Sequence, residues 1–201
     1  MLQSPGHLAT ERPLNMNLKI EKILQFWFVE TTAEQKFKKD LQFDQVIKNT
    51  FLNDYELASQ NKLDDWQITG RGCLALIILL DQFSRNLFRE SGKAFEQDEK
   101  ARSVLLKIIA NNFLDTMNES ERLFALLPLI HSENISDHEK AYDLMNKYLK
   151  NHSEIEKIKK SWLDHTVAIK RFGRYPHRNR VLNRLSSVDE IEFLNSPNSS
   201  W

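Results

Sequence analysis

The chain has little with which to cross-link or turn itself: one cysteine, five glycines and five prolines in 201 residues. A single thiol excludes an internal disulfide and fits a reducing cytoplasm. Scarce glycine and proline suit helices. Neither sign of charge is in excess, with 28 Lys and Arg against 28 Asp and Glu, which argues against a general nucleic-acid or membrane-surface binder. The longest apolar run, Cys73 to Leu80, is too short to cross a bilayer. There is no P-loop, G-x-S-x-G, G-x-G-x-x-G, H-E-x-x-H or C-x-x-C, so no metal site and no cofactor is expected. The opening residues MLQSPGHLATERPLN lack an apolar core of the kind a signal peptide needs. Residues 1–16 read as a disordered arm, with Met16 an alternative start, and 17–201 as one helical domain.

What is present is helical period in nearly every apolar stretch. Asn17 is placed to cap a helix carrying Ile20, Ile23, Leu24 and Trp27. A second helix covers 34–59 with a break near Asp40, and Phe43, Ile47, Phe51, Tyr55 and Ala58 form its inner stripe. Asn61 suits a left-handed cap. Further helices are expected over 72–89 and 94–109. Another covers 119–132 with Pro128 inside it, and later ones cover 137–150, 154–172 and 188–194. Ser136–Glu139, Ser153–Glu156 and Ser187–Glu190 fit capping boxes. Gly173 should end the 154–172 helix and Pro176 begin a short one over 177–184. The fold expected is all-α: antiparallel helical hairpins, about nine helices and no sheet.

The stretch from Gly72 to Arg89 organises the rest. Eight successive apolar residues need burial on all sides. Asp81, Gln82, Arg85, Asn86 and Arg89 then share an arc of roughly 140° on the same helix. Asp81, Arg85 and Arg89 lie at i, i+4 and i+8, where acid and base can pair. Two other stretches are polar where core is expected: His131-Ser132-Glu133 at the end of an apolar helix, and Arg171 to Asn179 on a turn. Arginine binds planar anions bidentately and keeps its charge. If the stretches meet, Asp81, Arg85, Arg89, His131, Glu133, Arg174, His177 and Arg178 form one partly buried cluster. Gln82, Asn86, Arg171 and Asn179 would stand beside it, a carboxylate or phosphate is the natural guest, and His131 and His177 are the acid–base candidates. A purely structural ion-pair network fits the same pattern. Charge is also segregated: 157–184 has nine bases and one acid, 115–143 seven acids and two bases. Trp162, His165, Ile169 and Phe172 read as core, and Trp201 as an aromatic docked on the helical body.

ILQFWF at Ile23–Phe28, LALIILLDQFSRNLFR, LPLIHSE at Leu127–Glu133 and RFGRYPHRN at Arg171–Asn179 resemble the uncharacterised family called domain of unknown function 924. The resemblance runs from about residue 17 to the end. It implies an all-helical fold similar to tetratricopeptide-repeat superhelices and no established activity. The family usually has glycine at Asn61 and Asn183, and asparagine tolerates the same left-handed backbone. Two functions compete: a small anionic ligand in the concave side of the array, or a peptide or partner helix in that groove. A nucleic-acid partner and a membrane are not expected, and the oligomeric state is left open.

Overall fold

The computed structural model describes residues 6–197 and Ser199, with side chains from Leu14 onward; the docking expected of Trp201 lies outside the described residues. Among these residues there is no strand. The helices are α1 (Gly6–Gln25), α2 (Ala33–Phe37), α3 (Leu41–Ser59), α4 (Gly70–Ile77), α5 (Ser84–Leu87), α6 (Asp98–Ala110), α7 (Glu119–Ile130), α8 (Ile135–Tyr148), α9 (Ile155–Phe172) and α10 (Val188–Leu194). Two π-helical turns interrupt the regular winding. Phe26–Glu30 extends α1, and Ile78–Phe83 joins α4 to α5 as one rod, 70–87.

That rod is the axis of the molecule. Cys73 to Leu80 and Phe83 are each at most 1% exposed. They are covered by α1, α3, α6 and α7, all of which pack on the rod. An all-apolar helix is stable only when enclosed in this way, and each large side chain so buried contributes roughly 1.5–3 kcal/mol. Farther along, α6 packs on α7, α7 on α8 and α8 on α9, the neighbour-to-neighbour pattern expected of successive hairpins. The N-terminal half is a bundle around one rod. Its close packing depends on Gly72, where an added Cβ would stand 2.0 Å from the Trp66 carbonyl oxygen, so no side chain fits between α4 and the 3-10 turn at Asp64–Ile68.

Local chemistry sets the ends. Asp40 caps α3 and breaks it from α2. Thr32–Gln35, Asn118–Glu121 and Ser187–Glu190 form capping boxes. Two expected boxes do not form. Asn134 caps α8 by accepting the Ser136 amide at 3.1 Å, leaving Ser136 inside the helix. Helix α9 starts at Ile155 without a side-chain cap; just before it the Glu154 amide donates to His152 Nδ1 at 3.1 Å. The first helix starts upstream of Asn17, whose side chain is exposed within it; Met16, one turn before Ile20, continues the inward stripe. Asn61 and Asn183 both adopt left-handed backbone, at φ 64° and 53°. At the second, the Arg184 amide returns to the Asn179 carbonyl (2.8 Å). The expected helix over 177–184 is therefore only a 3-10 turn, Pro176–Arg178, followed by a reversal. Gly173, at φ 66°, closes α9 as expected.

Candidate functional site

Asp81 lies in the second π-turn and is fully buried. A carboxylate there is tolerable only if its lone pairs are taken. His131 Nδ1 lies 2.7 Å from its Oδ1, and Arg85 donates to the same oxygen at 3.3 Å. The Gln82 amide donates to Oδ2. Burial alone would raise the Asp81 pKa, but the His131 ring and the Arg85 guanidinium outweigh it and hold the group at about 2. An ionised Asp81 can only accept, so Nδ1 of His131 carries the proton and Nε2 is left as the ring nitrogen able to exchange one. An imidazole oriented through Nδ1 by a buried carboxylate is a general acid–base arrangement.

Arg85 extends this centre. It donates to Asp98 Oδ1 (2.7 Å) and to the Ala94 carbonyl. The other Asp98 oxygen accepts from Arg178 at 2.9 Å. Phe95 packs against both cations, with Arg85 Cζ 4.6 Å and Arg178 Cζ 4.4 Å from its ring centroid. Tyr175 supports Arg178 on a further face at 4.6 Å. One network thus ties the rod 70–87, the end of α7, the start of α6 and the turn after α9. Arg178 is only 6% exposed, yet it spends a single hydrogen bond on Asp98, and its Nε is buried without an acceptor.

These groups line a cleft of about 620 Å³, within the range of small-molecule sites. Seven Lys and Arg side chains reach its wall and one carboxylate, Glu90. Behind the wall, Asp44 grips Arg89 with a two-bond fork at 2.7 Å each. Glu34 holds Lys38, and Asp81 and Asp98 serve Arg85 and Arg178. Five carboxylates therefore answer seven cations. Lys36 has none: its Nζ sits 5.6–5.8 Å from the ring centroids of Trp27, Phe28 and Phe124, and burial there lowers its pKa. Trp27, Trp162, Leu127 and Ile130 supply apolar lining. Both π-turns contribute, the first through Trp27 and the second through Gln82; such turns recur at functional sites because they re-aim side chains. His165 and His177 complete the wall, and burial pushes both down to about 3, so each is a neutral ring at neutral pH.

The structure brings Gln82, Arg85, Asn86, Arg89, His131, His177 and Arg178 to one cleft, with Asp81 directly behind it. It places the other sequence candidates elsewhere. Glu133 accepts a fork from Arg184 at 2.7 and 2.9 Å and the Tyr175 amide; it lines a smaller cavity of about 300 Å³ on the far side of the Phe95–Arg178 wall. Arg174 forks onto Glu190 at 2.6 and 2.8 Å. Arg171 is exposed and lies over Phe172. Asn179 is buried and donates to Ser186. Sequence reasoning missed Asp44, Asp98, Phe95 and Lys36. Asp44 carried a signal, an acid beside Phe43 on an inward stripe; Lys36 carried none. Trp27 and Trp162 are core as expected, at 1% and 2% exposure, and line the cleft as well. Cys73 is buried and its pKa is pushed up to about 11, an inert thiol. No helix among the described residues is long and apolar enough to cross a membrane, and none of their His, Cys, Asp and Glu side chains form a cluster of three suited to a metal.

The profile of a family described as bacterial protein of unknown function (DUF924) matches residues 23–198. Among solved structures, that of a protein of unknown function from Agrobacterium tumefaciens, ATU0120, is similar at a TM-score of 0.81 and 29% identity, covering 90% of this chain and 98% of its own. No curated protein matches the chain.

Proposed function

The chain belongs to the DUF924 family, which lends it no reaction, and from the cleft alone we propose that the protein binds a small organic anion, a carboxylate or phosphate with an apolar body. The observation that carries this reading is the wall itself: a concave surface with seven cations and one carboxylate, one of those cations a nearly buried arginine with donors to spare. Ion pairs that only lock helices together are balanced and closed; this one is unbalanced and faces a cavity. Within the reading, His131 is the group that would exchange a proton with the ligand. His177, held neutral, would contribute a hydrogen bond rather than a charge.

The test is thermal unfolding with inorganic phosphate and with octanoate, followed in parallel by tryptophan fluorescence, since Trp27 and Trp162 border the cleft. A ligand at one hundred times its Kd adds about 2.7 kcal/mol, a rise of roughly 5–10 °C for a chain of this size. Arg178→Lys, which keeps the charge and loses the fork, should lose most of that rise. If no anion stabilises the wild type, the reading fails. The competing reading, a peptide in the cleft, is favoured by Phe37, 71% exposed at the cleft wall; the basic lining would require that peptide to be acidic.

A further inference from the structure

Two side chains at the cleft have buried N–H groups with no acceptor: Arg178 Nε and Trp27 Nε1. Trp27 is 1% exposed and Arg178 6%. Both groups are donors only, so what satisfies them must be an acceptor. They belong to different ends of the wall. Arg178 is tied through Asp98 and Arg85 to the Asp81–His131 pair at the C-terminal end of α7. Trp27 packs against Phe124 inside α7, with ring centroids 5.5 Å apart. Lys36, the lining cation that has no carboxylate partner, sits over both rings. Phe124, Leu127 and His131 fall at i, i+3 and i+7, on one face of the helix. Seven residues of α-helix rise about 10 Å. Helix α7 therefore runs from the Trp27–Lys36 group to the Asp81–His131 pair, and its Leu127 and Ile130 line the cleft.

We infer that the ligand is a two-headed anion: two acceptor groups roughly 10 Å apart, one held by Arg178 and the other by Lys36 and the Trp27 N–H, joined by an apolar spine. This deepens the anion-binding reading and rests on it. A short dianion reaches one seat only. A long monoanion fills one seat and covers the apolar lining but leaves the other seat's donors unpaired, which a buried site penalises.

The experiment measures the affinity of the full chain for succinate, suberate, sebacate and octanoate by tryptophan fluorescence and thermal shift. Suberate or sebacate should bind at least about tenfold tighter than succinate or octanoate. Lys36→Met and Trp27→Phe, the second removing the N–H while keeping a ring, should each abolish the advantage of the long dianion over octanoate measured on the same variant. Lys36 is half-buried and has no ion partner to lose, so its variant is expected to fold, and it tests the second seat independently of the buried Trp27. If long dianions bind no better than octanoate, or both variants keep the advantage, the two-seat inference is overturned while the single-anion reading stands. If octanoate and phosphate also fail to bind, both fall.

Discussion

Two clusters of arginine and acid flank the C-terminal turn, and they are built for different ends. One is the cleft wall, where Asp81, Arg85, Asp98 and Arg178 run in series. The other is the strap formed by Arg174 and residues 184–194, where Arg174 forks onto Glu190 and Arg184 onto Glu133. The strap is balanced, two arginines against two glutamates. Its guanidiniums also hold the Leu185 and Tyr175 carbonyls, and Glu190 doubles as a capping-box residue. Arg184 Nε is left without an acceptor, but behind a fork already spent on Glu133 and away from the main cleft. Taken with the rest of its lining, seven cations against five carboxylates, the wall is unbalanced, and it surrounds a cavity. The residue types are the same in both. What separates a lock from a site is whether donors are left over and whether there is room beside them.

The sharpest way to break this contrast is to remove one arginine from each. Arg85→Ala takes a counter-charge from Asp81, which is 0% exposed, and another from Asp98; a loss of about 3–5 kcal/mol is expected, read as a lower urea midpoint. Arg174 is 32% exposed and forks onto Glu190, so Arg174→Ala is expected to open Glu190 to water and to shift the midpoint less. Equal losses would erase the distinction.

Acid separates the two next. Burial holds His165 and His177 near 3 in the fold, against 6.5 when unfolded. Below pH 6.5 the unfolded chain takes up protons that the native one refuses, so stability falls as pH falls, by about 1.4 kcal/mol for each imidazole by pH 5.5. The Arg174 fork holds Glu190 at about 2, against an ordinary 4.5, and the net effect of Arg184 and the Tyr175 amide on Glu133 is also downward. The strap's contribution is therefore present above pH 4.5 and lost only below it. Hydrogen exchange should show the cleft side loosening between pH 6.5 and 5 with the strap still protected, and His165→Gln should flatten that slope. Simultaneous loosening of both would refute the assignment.

Smaller effects sharpen the picture. Gly173 turns the chain from α9 into the strap with φ 66° and no atom near its missing Cβ, so Gly173→Ala costs only left-handed strain, about 1–2 kcal/mol, and should leave anion binding intact. Smallest of all, a chain starting at Met16 is expected to melt within about 2 °C of the full one, since Met16 is the first of the described side chains that packs on the core; a larger drop would give the preceding turns of α1 a packing role.

The fold was legible where one physical rule dominates: the apolar rod, the 3.6-residue stripes, Asp40, and the left-handed Asn61 and Gly173; the left-handed Asn183 came only from the family resemblance. Caps were less so, because Asn134 and Ser136 compete for one helix start and only geometry chooses Asn134. The stripe from Asp81 to Arg89 was visible as a polar arc following an apolar run. Its partners were not, since Asp44 and Asp98 lie 45 and 13 residues from the arginines they hold. Glu133 and Arg174 leave the expected cluster for the same reason: each is taken by a partner distant in sequence, Arg184 and Glu190. The reversal at Asn183 carries Arg184 back to Glu133, and nothing in the spacing announces it.

The π-turn at Ile78–Phe83 makes length itself a specification. Each residue of an α-helix advances the rod by about 100°, and a π-turn absorbs one extra residue without a loop. Asp81 is inside that turn, and Arg85 and Arg89 come after it. Deleting any one residue between 78 and 83 would let the rod wind as a regular α-helix from end to end. Because the turn absorbs the extra residue, Arg85 and Arg89 would keep their register after the same deletion, and the side chains re-aimed would be those inside the turn, Asp81 and Gln82. The rod would be better formed and the Asp81–His131 pair displaced, so the loss of a single codon here is a deeper lesion than most substitutions along the same helix.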